Sequence, residues 1–169
     1  MTTATASTPA TIPSLAWSED LVLGNATIDR THEEFVQLLA QAEMAADDAL
    51  LARLQDLITH TIDHFTREDE WMQATQFAPQ NCHAMQHRVV LQTLDELMRR
   101  GREDGELQLV REILPELGKW FSQHAQTMDA GLAAHLDALG FDPATGQMSR
   151  PQGLPEEAIA GCGSGSCGH

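Results

Sequence analysis

The chain carries eight histidines, and most of them lie at helical spacings from another histidine or from a carboxylate. The apolar stripes of the chain are interrupted by seven such residues, namely His32, His64, Glu68, His83, His87, His124 and Asp129. Imidazole and carboxylate together suit first-row metals such as iron, whereas all-oxygen sites suit magnesium or calcium and thiolates suit zinc or copper(I). Seven ligands are more than a single tetrahedral zinc ion can bind. They fit two six-coordinate metals that share two carboxylates and a solvent oxygen, with one position left vacant.

Four helices are predicted to position these side chains. Apolar residues recur every three and four positions at 28–42, from Asp47 onward, at 83–101 and at 106–139. No segment has the alternating pattern of a strand. Because short connections favour antiparallel neighbours, the predicted fold is all-α, an up-down-up-down four-helix bundle.

Counting residues from one end of such a bundle tests whether the seven side chains meet. With a rise of about 1.5 Å per residue, four histidines fall at nearly the same height, and these are His32, His64, His87 and His124. Glu68 and His83 lie one turn farther, and Asp129 rather more. Burying so many polar groups without partners would cost several kcal/mol each, which a marginally stable domain cannot absorb. The spacing therefore predicts a metal centre in one slice of the core.

The last two of these residues have a spacing that a regular helix does not accommodate. His124 and Asp129 are five residues apart, which places them roughly 140° apart on an α-helix. Both can face the core only if the helix widens locally, so the sequence predicts a π-bulge between them.

The motifs that contain these residues occur in a fixed order between Trp17 and Leu139. They are Ile28-Asp29-x-x-His32, His64-Phe65-x-x-Glu68-Asp69-x-x-Met72, His83-x-x-x-His87 and Trp120-x-x-x-His124-x-x-x-x-Asp129. A single histidine pair is a weak signal, but four motifs at these intervals form a specific one. The set resembles the hemerythrin family, and within it the bacterial single-domain members.

The resemblance implies a non-haem centre of two iron ions, Fe2+ or Fe3+, bridged by carboxylates and by an oxo or hydroxo group. One iron would be saturated by ligands that include three histidines, His83, His87 and His124. The other would be held by His32 and His64 and would keep the open position, while Glu68 and Asp129 bridge the pair. The O2 pocket would be lined by Phe35, Phe65, Trp120, Phe121 and Ala125.

The resemblance also implies a function, which is reversible O2 binding for storage, delivery or buffering. Oxygen-activating di-iron bundles usually carry more carboxylates, so five imidazoles with two carboxylates favour a binding protein over an enzyme. Two alternatives stay open. One is a di-iron enzyme that acts on peroxide, nitric oxide or O2, and the other is an O2- or iron-sensing or iron-handling module.

Two positions depart from the family pattern. His60 stands four residues before the second-helix ligand, where Tyr is common, and Ala125 follows the fourth-helix histidine, where a branched apolar residue is usual. A smaller wall at residue 125 would admit water or a larger ligand, which affects the lifetime of the oxygenated form. We interpret His60 as a side chain at the bundle surface, with a hydrogen bond to the centre as the alternative.

The charge and composition of the chain limit the kinds of partner that we expect it to bind. The formal net charge of -15 repels nucleic acid and anionic lipid surfaces. No stretch is long and apolar enough to span a membrane, and the first residues lack the pattern of a secretion signal. Three cysteines, two of them within the last eight residues, fit a reducing compartment, so a cytoplasmic protein is expected. We expect O2 as the ligand and a monomer, and leave open an unidentified protein partner or electron donor.

The two ends of the chain differ in composition from the middle. Residues 1–14 are predicted to form a disordered leader, residues 15–141 the bundle, and residues 142–169 a flexible tail rich in Gly and Pro. The tail ends in a cluster of Cys162, Cys167 and His169, which could bind a second, soft metal or form a redox pair. Cys82 is interpreted as a small packed residue.

Overall fold

Four antiparallel helical rods make up the computed structural model, which describes residues 12–77, 82–157 and 159. The helices are α1 (Ala26–Glu43), α2 (Asp47–Ala74), α3 (Cys82–Arg99), α4 (Leu107–His124) and α5 (Ala130–Leu139). A π-helical turn, Ala125–Asp129, joins α4 to α5, so that these two helices form the fourth rod. Helix α1 packs against α2 and α4, and α3 packs against the same two helices. The predicted four-helix bundle is therefore confirmed.

Polar side chains fix the start of α1. The Asn25 side chain accepts hydrogen bonds from the backbone N–H groups of Thr27 and Ile28 at 3.1 and 3.3 Å. One turn later the Asp29 carboxylate accepts from the N–H of Leu23 at 2.7 Å. The bonds to Asn25 satisfy donors that the first turn of a helix leaves unpaired, and the bond to Asp29 ties the segment before the helix to its first turn. They fix the rotation of α1 about its axis, so that Ile28 and, one turn later, His32 face the interior.

The connection between α3 and α4 contains a feature that the sequence does not reveal. Residues Arg100–Asp104 form a second π-helical turn, where we expected the helix simply to end at its glycines. Gly101 is buried there against Leu51. A Cβ at this position would lie 2.6 Å from Cδ2 of Leu51, so any other residue would force that side chain to shift. Gly105 then ends the turn in the left-handed conformation, with φ of 71°.

The apolar interior is divided into two clusters. The larger surrounds Phe35, Leu94 and Phe121, and the smaller surrounds Ile28 and Leu132. On every rod, at least one of the seven predicted metal-ligating residues lies between residues of the larger apolar cluster and residues of the smaller one. The polar side chains thus form a layer across the bundle, with an apolar block on each side.

The segment after α5 differs from the expected tail. Residues Phe141–Asp142 (β1) pair with Gln147–Met148 (β2) as a short antiparallel hairpin, although no strand was predicted. A 3-10 turn follows at Pro151–Gly153, and Leu154 and Ile159 pack against the smaller apolar cluster. The scattered apolar residues explain this folding, because each covers part of the bundle end. The predicted cluster of Cys162, Cys167 and His169 lies outside the described residues, as does most of the predicted leader.

Across the described parts of the chain, no helix combines the length and the apolar character that crossing a membrane would require.

Candidate metal centre

All seven side chains singled out in the sequence lie in the polar layer, and none is more than 2% exposed. They form two overlapping groups in which the potential ligand atoms all lie within 4.8 Å of one another. The four-residue group consists of His32, His64, Glu68 and Asp129. The five-residue group consists of Glu68, His83, His87, His124 and Asp129. The two carboxylates belong to both groups.

Helical spacing explains how each rod delivers its side chains. His64 and Glu68 lie one turn apart on α2, and His83 and His87 lie one turn apart on α3. On the fourth rod, the π-helical turn absorbs the extra residue between His124 and Asp129. The predicted irregularity at this position is confirmed.

Glu68 faces both groups with different oxygens. Its Oε1 lies 3.1 Å from Nε2 of His64, which belongs to the four-residue group. Its Oε2 lies 3.4 Å from Nε2 of His83 and 3.3 Å from Nε2 of His87, which belong to the five-residue group. The carboxylate of Glu68 therefore lies close to histidines of both groups, with one oxygen toward each.

Asp129 repeats this arrangement from the opposite rod. Its Oδ1 lies 3.0 Å from Nε2 of His83 and 3.1 Å from Nε2 of His124. Its Oδ2 lies 3.2 Å from Nε2 of His32, in the other group. The two carboxylates together link every rod of the bundle through the polar layer.

The separations fit ligands that surround a common ion. Neighbouring ligands of a six-coordinate ion with bonds of about 2.1 Å lie about 3 Å apart, and the contacts between histidine nitrogens and carboxylate oxygens within the groups are 3.0–3.4 Å. Several of these atoms nonetheless lack a hydrogen-bond partner among the described residues, including Nε2 of His32 and His83 and both oxygens of Asp129. They approach one another closely but not along hydrogen-bond directions. Buried polar atoms rarely stay unpaired, so the residues present fit metal ions.

The outer ring nitrogens of two histidines are hydrogen-bonded to acceptors. Nδ1 of His87 lies 3.2 Å from Oδ1 of Asp69, and Nδ1 of His124 lies 3.0 Å from Oε1 of Gln86. Asp69 was part of a sequence motif, but Gln86 was missed. No periodicity singles it out, and only the packing of α3 on α4 brings it to His124.

Burial and charge act against each other at the carboxylates. Burial alone would raise the pKa of Glu68, as would the neighbouring carboxylate of Asp129, but the rings of His64 and His83 outweigh both and hold this pKa well below its ordinary value. Burial would likewise raise the pKa of Asp129, and its close approach to His124 and His32 keeps that pKa well below the ordinary value. Both carboxylates are therefore ionised at neutral pH.

The histidines respond in opposite directions. Burial lowers the pKa of His83, but the carboxylates of Asp129 and Glu68 outweigh it and raise the pKa to about 10. The same balance raises the pKa of His32, chiefly through Asp129. At His124 burial prevails, and its pKa is lowered.

Aromatic rings surround the four-residue group. Phe121 meets the His32 ring edge-on at 5.2 Å and stacks on Phe35 at 4.0 Å. Phe65 lies 5.3 Å from the His64 ring and also stacks on the His87 ring of the five-residue group at 3.9 Å. Ala125 is fully buried in the larger apolar cluster. Trp120, expected in the same wall, instead stacks on His124 of the five-residue group at 4.5 Å.

Two further histidines hold the bundle together outside the centre. His60, expected at the surface, is largely buried, with Nε2 3.0 Å from the carbonyl oxygen of Thr31. Burial lowers its pKa. His135 bonds to the carbonyl oxygen of Thr75 at 2.9 Å.

Cys82, interpreted from the sequence as a packed thiol, is disulfide-bonded in the structure.

The chain is similar in sequence to known proteins. Residues 23–136 match the family described as the hemerythrin HHE cation binding domain. The chain is 37% identical over 131 residues to a bacteriohemerythrin of Ralstonia nicotianae, covering 78% of this chain and 95% of the relative. It is 29% identical over 119 residues to a bacteriohemerythrin of Aquifex aeolicus, covering 68% of this chain and 91% of that relative. No solved structure matches the chain significantly.

Proposed function

This chain belongs to the hemerythrin family, and from that premise we propose that it binds O2 reversibly at a pair of non-haem iron ions. The observation that carries the proposal is the buried layer of five imidazoles and two carboxylates, in which each carboxylate faces both ligand groups. Imidazole-rich mixed sites of this kind suit iron.

The two groups differ in the number of ligands that they offer. In the five-residue group, His83, His87 and His124 would join the two carboxylates as ligands of one iron. With one shared solvent ligand, that iron would have six ligands and would be saturated. In the four-residue group, His32 and His64 with the same carboxylates and solvent would supply five. The open position for O2 would therefore lie on the His32 and His64 side.

Paired iron ions, when bound, can exchange two electrons with O2 reversibly. The contribution of the chain is to keep that exchange reversible by excluding water and acids. Phe121 meets the His32 ring, Phe65 lies beside the His64 ring and Phe35 stacks on Phe121, and none of the three carries an acidic proton to donate. The low carboxylate count supports binding rather than oxidation of a substrate, because oxygen-activating bundles carry paired Glu-x-x-His motifs.

The test is to load the full chain with ferrous iron without air, count iron per chain, and record the visible spectrum while O2 is admitted and removed. Two irons per chain and an absorption band that appears with O2 and disappears on its removal are expected. Two irons that pass rapidly and irreversibly to the ferric state would instead favour an enzyme or a sensor. A chain that takes up no iron would overturn the proposal.

A further inference from the structure

We propose that Gln86 is a positioning residue, which fixes the ring of His124 so that its inner nitrogen faces the iron of the five-residue group. Asp69 does the same for His87. This role rests on the proposed function, because it concerns the iron position proposed there. It adds a residue at a position that the family motifs in the sequence leave unspecified.

The chemistry of the acceptors fixes the tautomers. An amide oxygen and a carboxylate can only accept a hydrogen bond. Nδ1 of His124 must therefore donate to Gln86 at 3.0 Å, and Nδ1 of His87 must donate to Asp69 at 3.2 Å. A neutral ring that donates from Nδ1 presents a lone pair at Nε2. In the neutral form of each ring, the inner nitrogen is therefore the one that can bind a cation.

The inner nitrogens converge. Nε2 of His124 lies 3.2 Å from Nε2 of His87 and 3.1 Å from Oδ1 of Asp129. With both rings neutral, three lone-pair atoms would face one another at these distances, which is favourable only when a cation lies among them. The outer hydrogen bonds therefore select the arrangement that an iron ion needs.

Gln86 is needed because solvent can reach this side of the ring. A pocket of about 260 Å³ opens beside His124, lined in part by Gln86, Trp120, Gln123 and Thr127. Trp120 covers one face of the imidazole at 4.5 Å. Without the amide of Gln86, no side chain is hydrogen-bonded to Nδ1 in the part of the chain that the structure describes, so the ring is free to adopt the other tautomer.

Hydrogen bonds to the outer ring nitrogens are unevenly distributed between the two groups. In the four-residue group, Nδ1 of both histidines, His32 and His64, has no hydrogen-bond partner among the residues that the structure describes. In the five-residue group this holds for His83, while His87 and His124 each have a partner. Partners on the outer nitrogen of a ligand histidine typically contribute 10–100-fold to metal affinity. The iron of the five-residue group should therefore be the one held more tightly.

The test follows loss of iron from the full, ferrous-loaded chain to a chelator without air. The wild type should release its two irons in two phases. Gln86→Leu should accelerate the slower phase by about 10–100-fold, and Gln86→Glu, which keeps an acceptor, should restore it. Gln123→Leu is the matched control, because Gln123 lines the same pocket but is exposed. It should release iron as the wild type does.

A second measurement needs no metal. Nitrogen-15 NMR of the metal-free chain should show the Nδ1–H tautomer at His124 in the wild type and appearance of the Nε2–H tautomer in Gln86→Leu. The proposal is overturned by a wild-type His124 in the Nε2–H form, or by a Gln86→Leu variant that matches the wild type in both measurements. If the wild type binds no iron, the proposed function fails, while the NMR result still decides the role of Gln86.

Discussion

His124 and Asp129 are five residues apart in the chain, yet Nε2 of the first lies 3.1 Å from Oδ1 of the second. The π-helical turn between them makes this possible, because it absorbs one residue without changing the faces that α4 and α5 present. Deleting the exposed Gln126 should convert it to a regular turn, in which a four-residue spacing also places both side chains on one face.

The deletion variant should therefore keep two irons per chain, and its metal-free form should melt no lower than the wild type. Iron analysis and thermal unfolding followed by circular dichroism measure both quantities. Gln126→Ala is the control, since it keeps the turn. Loss of iron from the deletion variant with its helix content intact would show that the turn itself shapes the centre.

Removing a histidine of the four-residue group should remove one iron. His64→Ala deletes a buried ring whose Nε2 lies 3.1 Å from Glu68, so iron should fall from about two to about one per chain and the O2-dependent band should disappear. His135→Ala is the matched control, because that ring bonds to a carbonyl outside the centre. Unchanged iron content in His64→Ala would contradict the ligand assignment.

Metal uptake should release protons. The carboxylates around His83 raise its pKa to about 10, so that the ring is protonated at pH 7 in the metal-free chain. A metal needs the neutral ring, and affinity should rise about tenfold per pH unit for each proton displaced. In the metal-free chain, this same raised pKa stabilises the fold below the unfolded value of 6.5, and the effect is lost as pH approaches 10.

The protons can be counted with an indicator dye during anaerobic titration with ferrous iron in weak buffer. At least one proton per chain is expected, and His135→Ala should release the same number as the wild type. Uptake without proton release would mean that His83 is neutral before metal binds.

The aromatic wall should govern how long the oxygenated form lasts. Phe121→Leu opens space beside His32, where the Phe121 ring now lies at 5.2 Å, and should accelerate irreversible oxidation by admitting water. Its stability cost should be about 1–3 kcal/mol. Phe77→Leu removes a ring that is equally buried but packs on His135 in the smaller cluster. It should cost similar stability and leave the oxidation rate unchanged.

Much of the bundle could be predicted because its pattern is local. Apolar spacing gave the four rods, and the five-residue spacing from His124 to Asp129 gave the π-helical turn. The turn at Arg100–Asp104 escaped prediction because no functional pair spans it. The hairpin at 141–148 escaped because its strands are two residues long, too short to show an alternating pattern.

Contacts between rods were harder to predict than the rods themselves. The positions of the seven ligand residues along the bundle axis follow from residue counts. The rotation of each rod about its own axis does not. Trp120 was expected beside the open position, and it stacks on His124 instead. Gln86 reaches His124 only because α3 and α4 pack with that particular rotation. Such pairings depend on tertiary geometry that one sequence without its structure does not carry.

The polar layer separates the interior into two apolar blocks, one around Phe35 and Phe121 and the other around Ile28 and Leu132. In the metal-free chain, little apolar contact joins the blocks, so each half could melt at its own temperature. Iron that ties all four rods together in that layer would restore a single cooperative transition. The ratio of van't Hoff to calorimetric enthalpy should therefore approach one only after metal is bound.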